Sequence, residues 1–232
     1  MPALLTLNQV EPQAPPPLMP AGCPLPAVLE WPNHPSGVVL ILHAGRQGTS
    51  SELVNDLAAE LRAAGLGTLL VDLTPHARRE ARTPPRHPLL LEERAKRVVD
   101  WLADQPSFSH LPIGLLGMND SAAAALVAAS GSRRTEAVVV WGGEPDRAAA
   151  ALTNVSAPVL LLVGGADLEA LHHHQGALVR LAGVKRLVAI TRAGRSCSEV
   201  DAAAEAAHWS AIWFVHHLAM ERTWRHARSA GV

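Results

Sequence analysis

The stretch LLGMNDSAAAAL, residues 115–126, is an apolar run that turns sharply into an alanine-rich segment. The apolar run is typical of a buried strand, and the alanine-rich part is typical of a helix. Gly117 and Ser121 lie two residues to either side of Asn119. Small residues at those positions let a strand and a helix pack closely around a turn that exposes its apex side chain. The spacing therefore predicts a strand–turn–helix unit with Asn119 at its apex.

Two other registers remain open for this turn. With Asp120 at the apex, a carboxylate would occupy the exposed position, but Met118 would then stand where the turn requires a small residue. With Ser121 at the apex, a hydroxyl would occupy it, but Asn119 would flank the apex and Gly117 would have no role. Steric considerations favour Asn119 and leave Asp120 and Ser121 as alternatives.

Short apolar runs alternate with longer amphipathic segments along the rest of the chain. Strands are predicted at residues 25–31, 37–43, 66–73, 112–117, 136–142, 157–165 and 185–190, and helices at 50–65, 89–105, 119–129, 147–152, 168–182 and 201–222. Each parallel connection between strands requires a crossover, usually a helix. The pattern therefore predicts an α/β three-layer sandwich, with a mainly parallel sheet, helices on both faces and no large cap domain.

Length and composition are those of a single domain. The chain has 232 residues, which is enough to bury a full core. Residues 1–22 are proline-rich and are predicted to form an N-terminal arm, because proline removes backbone donors. The domain itself is predicted to cover residues 23–222, and residues 223–232 to form a basic C-terminal tail.

Charge and cysteine content exclude several classes of function. A formal net charge of −1 gives no bulk attraction to nucleic acid or to anionic membranes. Cys23 and Cys197 are the only cysteines, which argues against a disulfide framework and a cysteine-rich zinc site. The N-terminal segment has neither a basic region nor a long apolar run, so a cytoplasmic protein is expected. No cofactor is expected, and the protein is predicted to be a monomer or homodimer with a possible small-molecule ligand.

Three consecutive histidines, His172, His173 and His174, raise the question of a metal site. Successive residues of a helix point about 100° apart, so the three imidazoles cannot converge on one ion. A solvated helix face is therefore the expected role of this run, and no metal site is predicted.

Four loops follow the predicted parallel strands, at the edge where open α/β sheets bind ligands. They are HAGRQGTSS (43–51), GMNDSA (117–122), GGADLEA (164–170) and TRAGRSCSE (191–199). Their order and spacing resemble the α/β-hydrolase fold, and within it the small dienelactone-hydrolase-like enzymes, over roughly residues 25–218. The resemblance rests on the elbow-like turn around Asn119, on APVLLLVGGAD, and on the segment 185–218.

The resemblance implies which residues stand at the positions of a catalytic triad. The nucleophile position falls on Asn119 and the acid on Asp167; counting back from Trp213 and Phe214 puts the base on Arg195. An amide lacks an ionisable proton, and a guanidinium stays protonated, so neither side chain can perform its triad role. An ion pair between Asp167 and Arg195 is expected instead.

The resemblance also implies an oxyanion hole built from the backbone N–H groups of Asp120 and Arg46. Together these features predict a non-hydrolytic pseudoenzyme that binds a small ligand or a partner. The alternative is an active esterase-like or lactonase-like hydrolase that uses Asp120 or Ser121 with His43. A third hypothesis uses only the oxyanion hole and the charge of Arg195 to stabilise an anion such as an enolate.

Overall fold

The computed structural model describes residues 25–44, 52–74, 87–191 and 200–219. Seven strands form one sheet: β1 (Ala27–Glu30), β2 (Val38–His43), β3 (Gly67–Asp72), β4 (Ile113–Met118), β5 (Thr135–Trp141), β6 (Val159–Gly164) and β7 (Lys185–Ile190). Their order is β1-β3-β2-β4-β5-β6-β7. Only the edge strand β1 runs antiparallel to its neighbour, and every other pairing of the seven is parallel.

Helices cover both faces of this sheet. They are α1 (Glu52–Ala63), α2 (Pro88–Asp104), α3 (Ala122–Gly131), α4 (Leu168–Arg180) and α5 (Val200–Phe214). One apolar cluster joins α2, α3 and α4 to the sheet, and a second joins α1 and α5 to its opposite face. The predicted three-layer α/β architecture is confirmed, and no cap domain is present in the described part of the chain. No helix within that part is both long and apolar enough to cross a bilayer.

Three predicted helices differ in detail from the observed ones. The helix expected at 119–129 begins with a 3-10 turn, Asn119–Ser121, and becomes α-helical only at Ala122. The short helix expected at 147–152 is a 3-10 segment, Pro145–Asn154, with a kink at Ala149. The last helix ends at Phe214 in a π-helical turn, Val215–Ala219. The predicted arm and tail lie outside the described residues and stay predictions.

The core explains why the central strands are apolar throughout. Residues 38–42 of β2 are fully buried, because helices cover both faces of a parallel sheet. In β4, a Cβ added at Gly114 would lie 2.6 Å from Cε1 of Phe214. The ring of Phe214 therefore packs directly against the backbone of β4 and fixes α5 beneath the strand that leads to Asn119.

Candidate active-site pocket

The carboxyl ends of the parallel strands bring several predicted site residues to one edge of the sheet. Leu42 of β2 pairs in register with Gly117 of β4, so His43 at the end of β2 lies beside the end of β4, which Asn119 follows directly. Asp167 follows β6, two strands away from β4, which corresponds to about 10 Å across the sheet. The fold thus brings the nucleophile-like turn and the acid-bearing turn to the same rim.

Backbone geometry singles out Asn119 in its turn. Its φ angle is 48°, in the left-handed region that non-glycine residues rarely adopt. A Cβ at Gly117 would lie 2.6 Å from Cβ of Ala125 and 2.8 Å from the carbonyl oxygen of Ser121. The strand and the helix therefore approach each other too closely for any larger residue at position 117. These are the steric features that the sequence spacing predicts around Asn119.

Gly143 holds the same turn from the side, and the sequence analysis did not identify it. Its φ is 74°, and a Cβ added there would lie only 2.1 Å from the carbonyl oxygen of Asn119. Residue 143 must therefore be glycine for both conformational and steric reasons. The available signal was the Gly142–Gly143 pair immediately after an apolar strand, which indicates a backbone that turns tightly or approaches a neighbour closely.

Ser121 has a structural role in the turn. Its side chain is fully buried, and its Oγ accepts a hydrogen bond from the backbone N–H of Met118 at 3.1 Å. The same Oγ lies 2.6 Å from the carbonyl oxygen of Leu42 and 2.8 Å from that of Met118. The hydroxyl has a single proton, which it donates to these two carbonyl oxygens. The hydroxyl thereby ties β2 to the end of β4.

A cavity of about 230 Å³ opens beside the turn. Among the described residues it is lined by Pro88, Glu92, Asn119, Asp120, Ala123, Ala124, Gly143, Glu144 and Arg147. The lining thus includes three carboxylates and one guanidinium, and Arg147 Nε forms an ion pair with Glu144 Oε2. This volume lies below the range of about 300–1,000 Å³ that is usual for pockets that bind drug-sized ligands, so the cavity suits a small molecule. Asn119 is partly exposed and Asp120 is exposed at this site.

Asp167 begins helix α4 as its N-cap. Its Oδ1 accepts a hydrogen bond from the backbone N–H of Ala170 at 3.0 Å, and its own N–H donates to the carbonyl oxygen of Gly164 at 3.1 Å. Capping satisfies one of the orphan donors at the helix start. The cap fixes the carboxylate at the rim of the sheet, where the sequence analysis placed the triad acid.

Two predicted site residues, Arg46 and Arg195, lie outside the described residues. The predicted contact between Asp167 and Arg195 and the predicted oxyanion donor at Arg46 therefore stay predictions. Of the other predicted site residues, His43 and Asp120 are partly or fully exposed at the same edge as Asn119.

The expectation of a solvated histidine face is wrong for His174. This residue is fully buried, with its Nδ1 2.8 Å from the carbonyl oxygen of Ala170, and burial lowers its pKa below its usual value. His172 is exposed, and His173 is partly exposed. His173 Nδ1 lies 3.0 Å from both carboxylate oxygens of Asp146, in the 3-10 segment against which the helix packs. Within the described ranges, no group of three or more histidine, cysteine or acidic residues is arranged to hold a metal ion.

Comparison with known proteins identifies the family. The family model described as "Dienelactone hydrolase family" matches residues 26–180, which include the Asn119 turn and Asp167. The chain belongs to the dienelactone hydrolase family. This confirms the resemblance inferred from the loops at the strand ends. The loop that contains Arg195 lies beyond the matched residues.

Solved structures agree with this assignment. The chain is 36% identical to a dienelactone hydrolase from Anabaena variabilis ATCC 29413, with a TM-score of 0.80, over 85% of this chain and 94% of that chain. A serine hydrolase homologue from Coxiella burnetii (16% identity, TM-score 0.67) aligns over 81% of this chain and 90% of its own. A dienelactone-hydrolase-like promiscuous phosphotriesterase from metagenomic libraries (16%, TM-score 0.66) aligns over 83% and 92%. The last two share the fold alone.

Curated relatives come from two strains of Mycobacterium tuberculosis, CDC 1551 / Oshkosh and ATCC 25618 / H37Rv. Each is named "Putative phosphoribosyl transferase" and is 35% identical to this chain over 196 residues. The match covers 84% of this chain but only 44% of each relative. The chain therefore spans less than half the length of these relatives.

Proposed function

We propose that this protein is a non-hydrolytic member of the dienelactone hydrolase family that binds a small polar molecule in the cavity beside Asn119. In this proposal Asn119, Asp167 and Arg195 occupy the triad positions without forming a working triad. The backbone N–H groups of Asp120 and Arg46 are proposed to serve as the donors of an oxyanion hole. The protein is proposed to act in the cytoplasm, as a monomer or homodimer.

The φ angle of Asn119 is the observation that carries the proposal. A value of 48° in the middle of a strand–turn–helix unit is the strained conformation that presents a nucleophile in this fold. The side chain presented here is a carboxamide, whose nitrogen lone pair is delocalised into the carbonyl group. Acyl transfer needs a hydroxyl, a thiol or a carboxylate at this point, and an amide supplies none of them.

The alternative hypothesis is an active hydrolase that uses Asp120 or Ser121 with His43. The environment of Ser121 argues against Ser121 as its nucleophile. A nucleophile must reach the substrate, whereas Ser121 is fully buried and its hydroxyl is committed to backbone groups of β2 and β4. Asp120 is exposed and lines the cavity. An experiment must therefore test whether Asp120 acts as a nucleophile together with His43.

The described part of the cavity lining supports a small polar ligand that donates hydrogen bonds. Glu92, Asp120 and Glu144 supply carboxylates, and the guanidinium of Arg147 is paired with Glu144. Carboxylates accept hydrogen bonds from hydroxyl, ammonium or amide groups of a ligand, and they repel phosphate. A phosphoribosyl substrate is polyanionic and would be repelled by these carboxylates. The transferase activity in the relatives' name is therefore not part of this proposal. Most of the length of those relatives also lies outside the match.

Hydrolase assays test the proposal directly. The purified protein would be incubated with short-chain p-nitrophenyl esters, a dienelactone and a fluorophosphonate probe. We expect no turnover above the buffer rate and no covalent labelling. In the double variant Asn119→Ser with Arg195→His, a hydroxyl and an imidazole return to the triad positions. Its esterase rate should exceed that of the wild type by about 10²–10⁴-fold, the usual contribution of general acid–base catalysis.

Single variants make the assay decisive. Asn119→Ser alone and Arg195→His alone should each give much less activity than the pair, since triad members act as a unit. Turnover by the wild type that is abolished in Asp120→Ala or His43→Ala would overturn the pseudoenzyme proposal. A double variant that keeps its fold by circular dichroism but has no activity would contradict the assignment of residues 119 and 195 to the triad positions.

A further inference from the structure

We propose that His173 and Asp146 form a pH-dependent latch that holds one wall of the cavity beside Asn119. This inference rests on the proposed function in one respect, because it takes this cavity to be the ligand site. It involves helix α4, which does not itself line the cavity, and the 3-10 segment Pro145–Asn154 that follows β5.

The contact joins α4 to a segment whose neighbouring residues line the cavity. Asp146 lies between Glu144 and Arg147, both of which line it. His173 Nδ1 is 3.0 Å from each carboxylate oxygen of Asp146, and the two side chains are only about a quarter to a third exposed. Movement of Asp146 would therefore move the two charged residues beside it.

The backbone of this segment does not hold its conformation unaided. Gly142 and Gly143 have φ angles of 67° and 74°, which leave the backbone flexible if its contacts are lost. Ala149 has φ 49° and ψ −118°, an unfavourable combination for a residue with a side chain. Such conformations persist where tertiary contacts impose them. Asp146 contacts α4 within this segment. Gly143, just before the segment, lies directly against the backbone carbonyl of Asn119.

The charges around His173 give the latch its pH dependence. The hydrogen bond that the His173 imidazole donates to Asp146 raises the pKa of His173 above its usual value of 6.5. Burial partly offsets this shift, and the charges of Asp146, Glu144 and Glu169 raise the pKa further. His172 and His174 flank it on its own helix. Helix α3 also packs against the segment and has no ionisable side chain, and neither does β6 beneath α4. Strand β7 packs against α4 and carries Lys185 and Arg186. Lys185 Nζ donates to the carbonyl oxygen of Leu181, and the guanidinium of Arg186 lies over the ring of Trp209.

The direction of the effect follows from these charges. Below its raised pKa, His173 is a cation, and its N–H donates a charge-assisted hydrogen bond to Asp146. As the pH rises through that pKa the charge is lost, and only a weaker neutral hydrogen bond remains. The stabilising contribution is therefore complete below 6.5 and is lost at higher pH. The cavity wall is held firmly in mildly acidic solution and loosens as the solution becomes alkaline.

The neighbouring His174 does not provide the same switch. It is fully buried, and its Nδ1 contacts the carbonyl oxygen of Ala170 on its own helix. Burial lowers its pKa, whereas the pKa of His173 is raised, so the two histidines are shifted in opposite directions.

Nuclear magnetic resonance of the isotope-labelled full chain tests the latch without any ligand. The backbone amide signals of Gly142, Gly143 and Asn119 would be followed between about pH 5 and pH 8, together with the imidazole of His173. We expect these amides to shift with the same midpoint as His173, above 6.5. The protection factors of the segment's amides, which correct for the base catalysis of exchange itself, should also fall on the alkaline side of that midpoint.

Two variants complete the experiment. In His173→Gln an amide N–H replaces the imidazole but cannot titrate, so the coupled amide shifts should disappear. His172→Gln changes the exposed neighbour on the same helix and should leave them unchanged. If the wild-type amides do not follow His173, or follow the same curve in His173→Gln, the latch is wrong. Asp146→Asn provides a second removal of the pair if His173→Gln does not fold. Because no ligand or activity is measured, failure of the latch is distinguishable from failure of the proposed function.

Discussion

Two neighbouring turns at the same edge of the sheet are held in different ways. The turn at residues 117–121 is held by close backbone packing and by a buried hydroxyl, and neither depends on pH. The segment Pro145–Asn154 buries Ala148 and Leu152 in the core, and it also makes partly exposed ionic contacts, between Glu144 and Arg147 and between Asp146 and His173. The difference teaches that the position of Asn119 is set by steric packing, whereas charge contributes to the position of the opposite wall of the cavity.

The largest expected effect comes from Gly143→Ala, which places a Cβ between the two turns. The new Cβ would meet the carbonyl oxygen of Asn119 at 2.1 Å, and residue 143 has φ 74°. Backbone strain and overpacking together should lower the free energy of unfolding by roughly 2–5 kcal/mol, measured by urea denaturation.

Gly131→Ala is the matched control for that change. A Cβ at Gly131 would have no atom within 4 Å, and this residue ends helix α3. Its substitution should be neutral or should stabilise the protein by about 0.5–1 kcal/mol. Equal effects of the two substitutions would show that the two turns are not in steric contact.

Ser121→Ala should lower the free energy of unfolding by a smaller amount, because it alters only the turn at residues 117–121. It removes the acceptor of the Met118 N–H, which would then be buried without a partner, at a cost of about 1–3 kcal/mol. Ser130→Ala is the control, because that hydroxyl is only partly buried and bonds within its own helix to Val127. Loss of an ester-hydrolysing activity in Ser121→Ala, at unchanged stability, would contradict the structural role given to Ser121.

Ala149→Gly tests whether backbone strain in the kinked segment Pro145–Asn154 affects the stability of the protein. Glycine adopts φ 49° without steric strain. Relief of that strain should outweigh the added flexibility of the unfolded chain and raise the free energy of unfolding by up to about 1 kcal/mol. Ala150→Gly, at an exposed neighbouring position, should instead destabilise the protein slightly. If both variants were equally destabilised in thermal or urea unfolding, the strain at Ala149 would play no part in holding the segment.

Much of the fold could be predicted from the sequence because its signals are local. The continuous apolar run of β2 indicates a strand covered on both faces, and the structure confirms it. The spacing of Gly117 and Ser121 around Asn119 reflects steric contacts within a single turn, which a linear pattern can record. Family membership followed from the order of four such loops, and the family model confirms it.

The features that could not be predicted depend on contacts between distant parts of the chain. Nothing near Gly143 in the sequence indicates that it faces the carbonyl oxygen of Asn119. The run His172–His174 has no periodicity that would show which imidazole is buried, because that depends on where the segment containing Asp146 packs. The kink at Ala149 was missed for a similar reason, since an alanine-rich stretch favours a helix until tertiary contacts override the preference.

The clamp formed by Gly117 and Gly143 has a consequence for how this protein changes over generations. The backbone at residue 119 takes its path from these glycines and from Ser121, and not from the asparagine that it presents. Codons for asparagine and serine differ by a single base. A single point mutation can therefore replace the amide by a hydroxyl in a turn whose backbone already has the required conformation, and any further change towards hydrolysis would have to occur elsewhere in the chain.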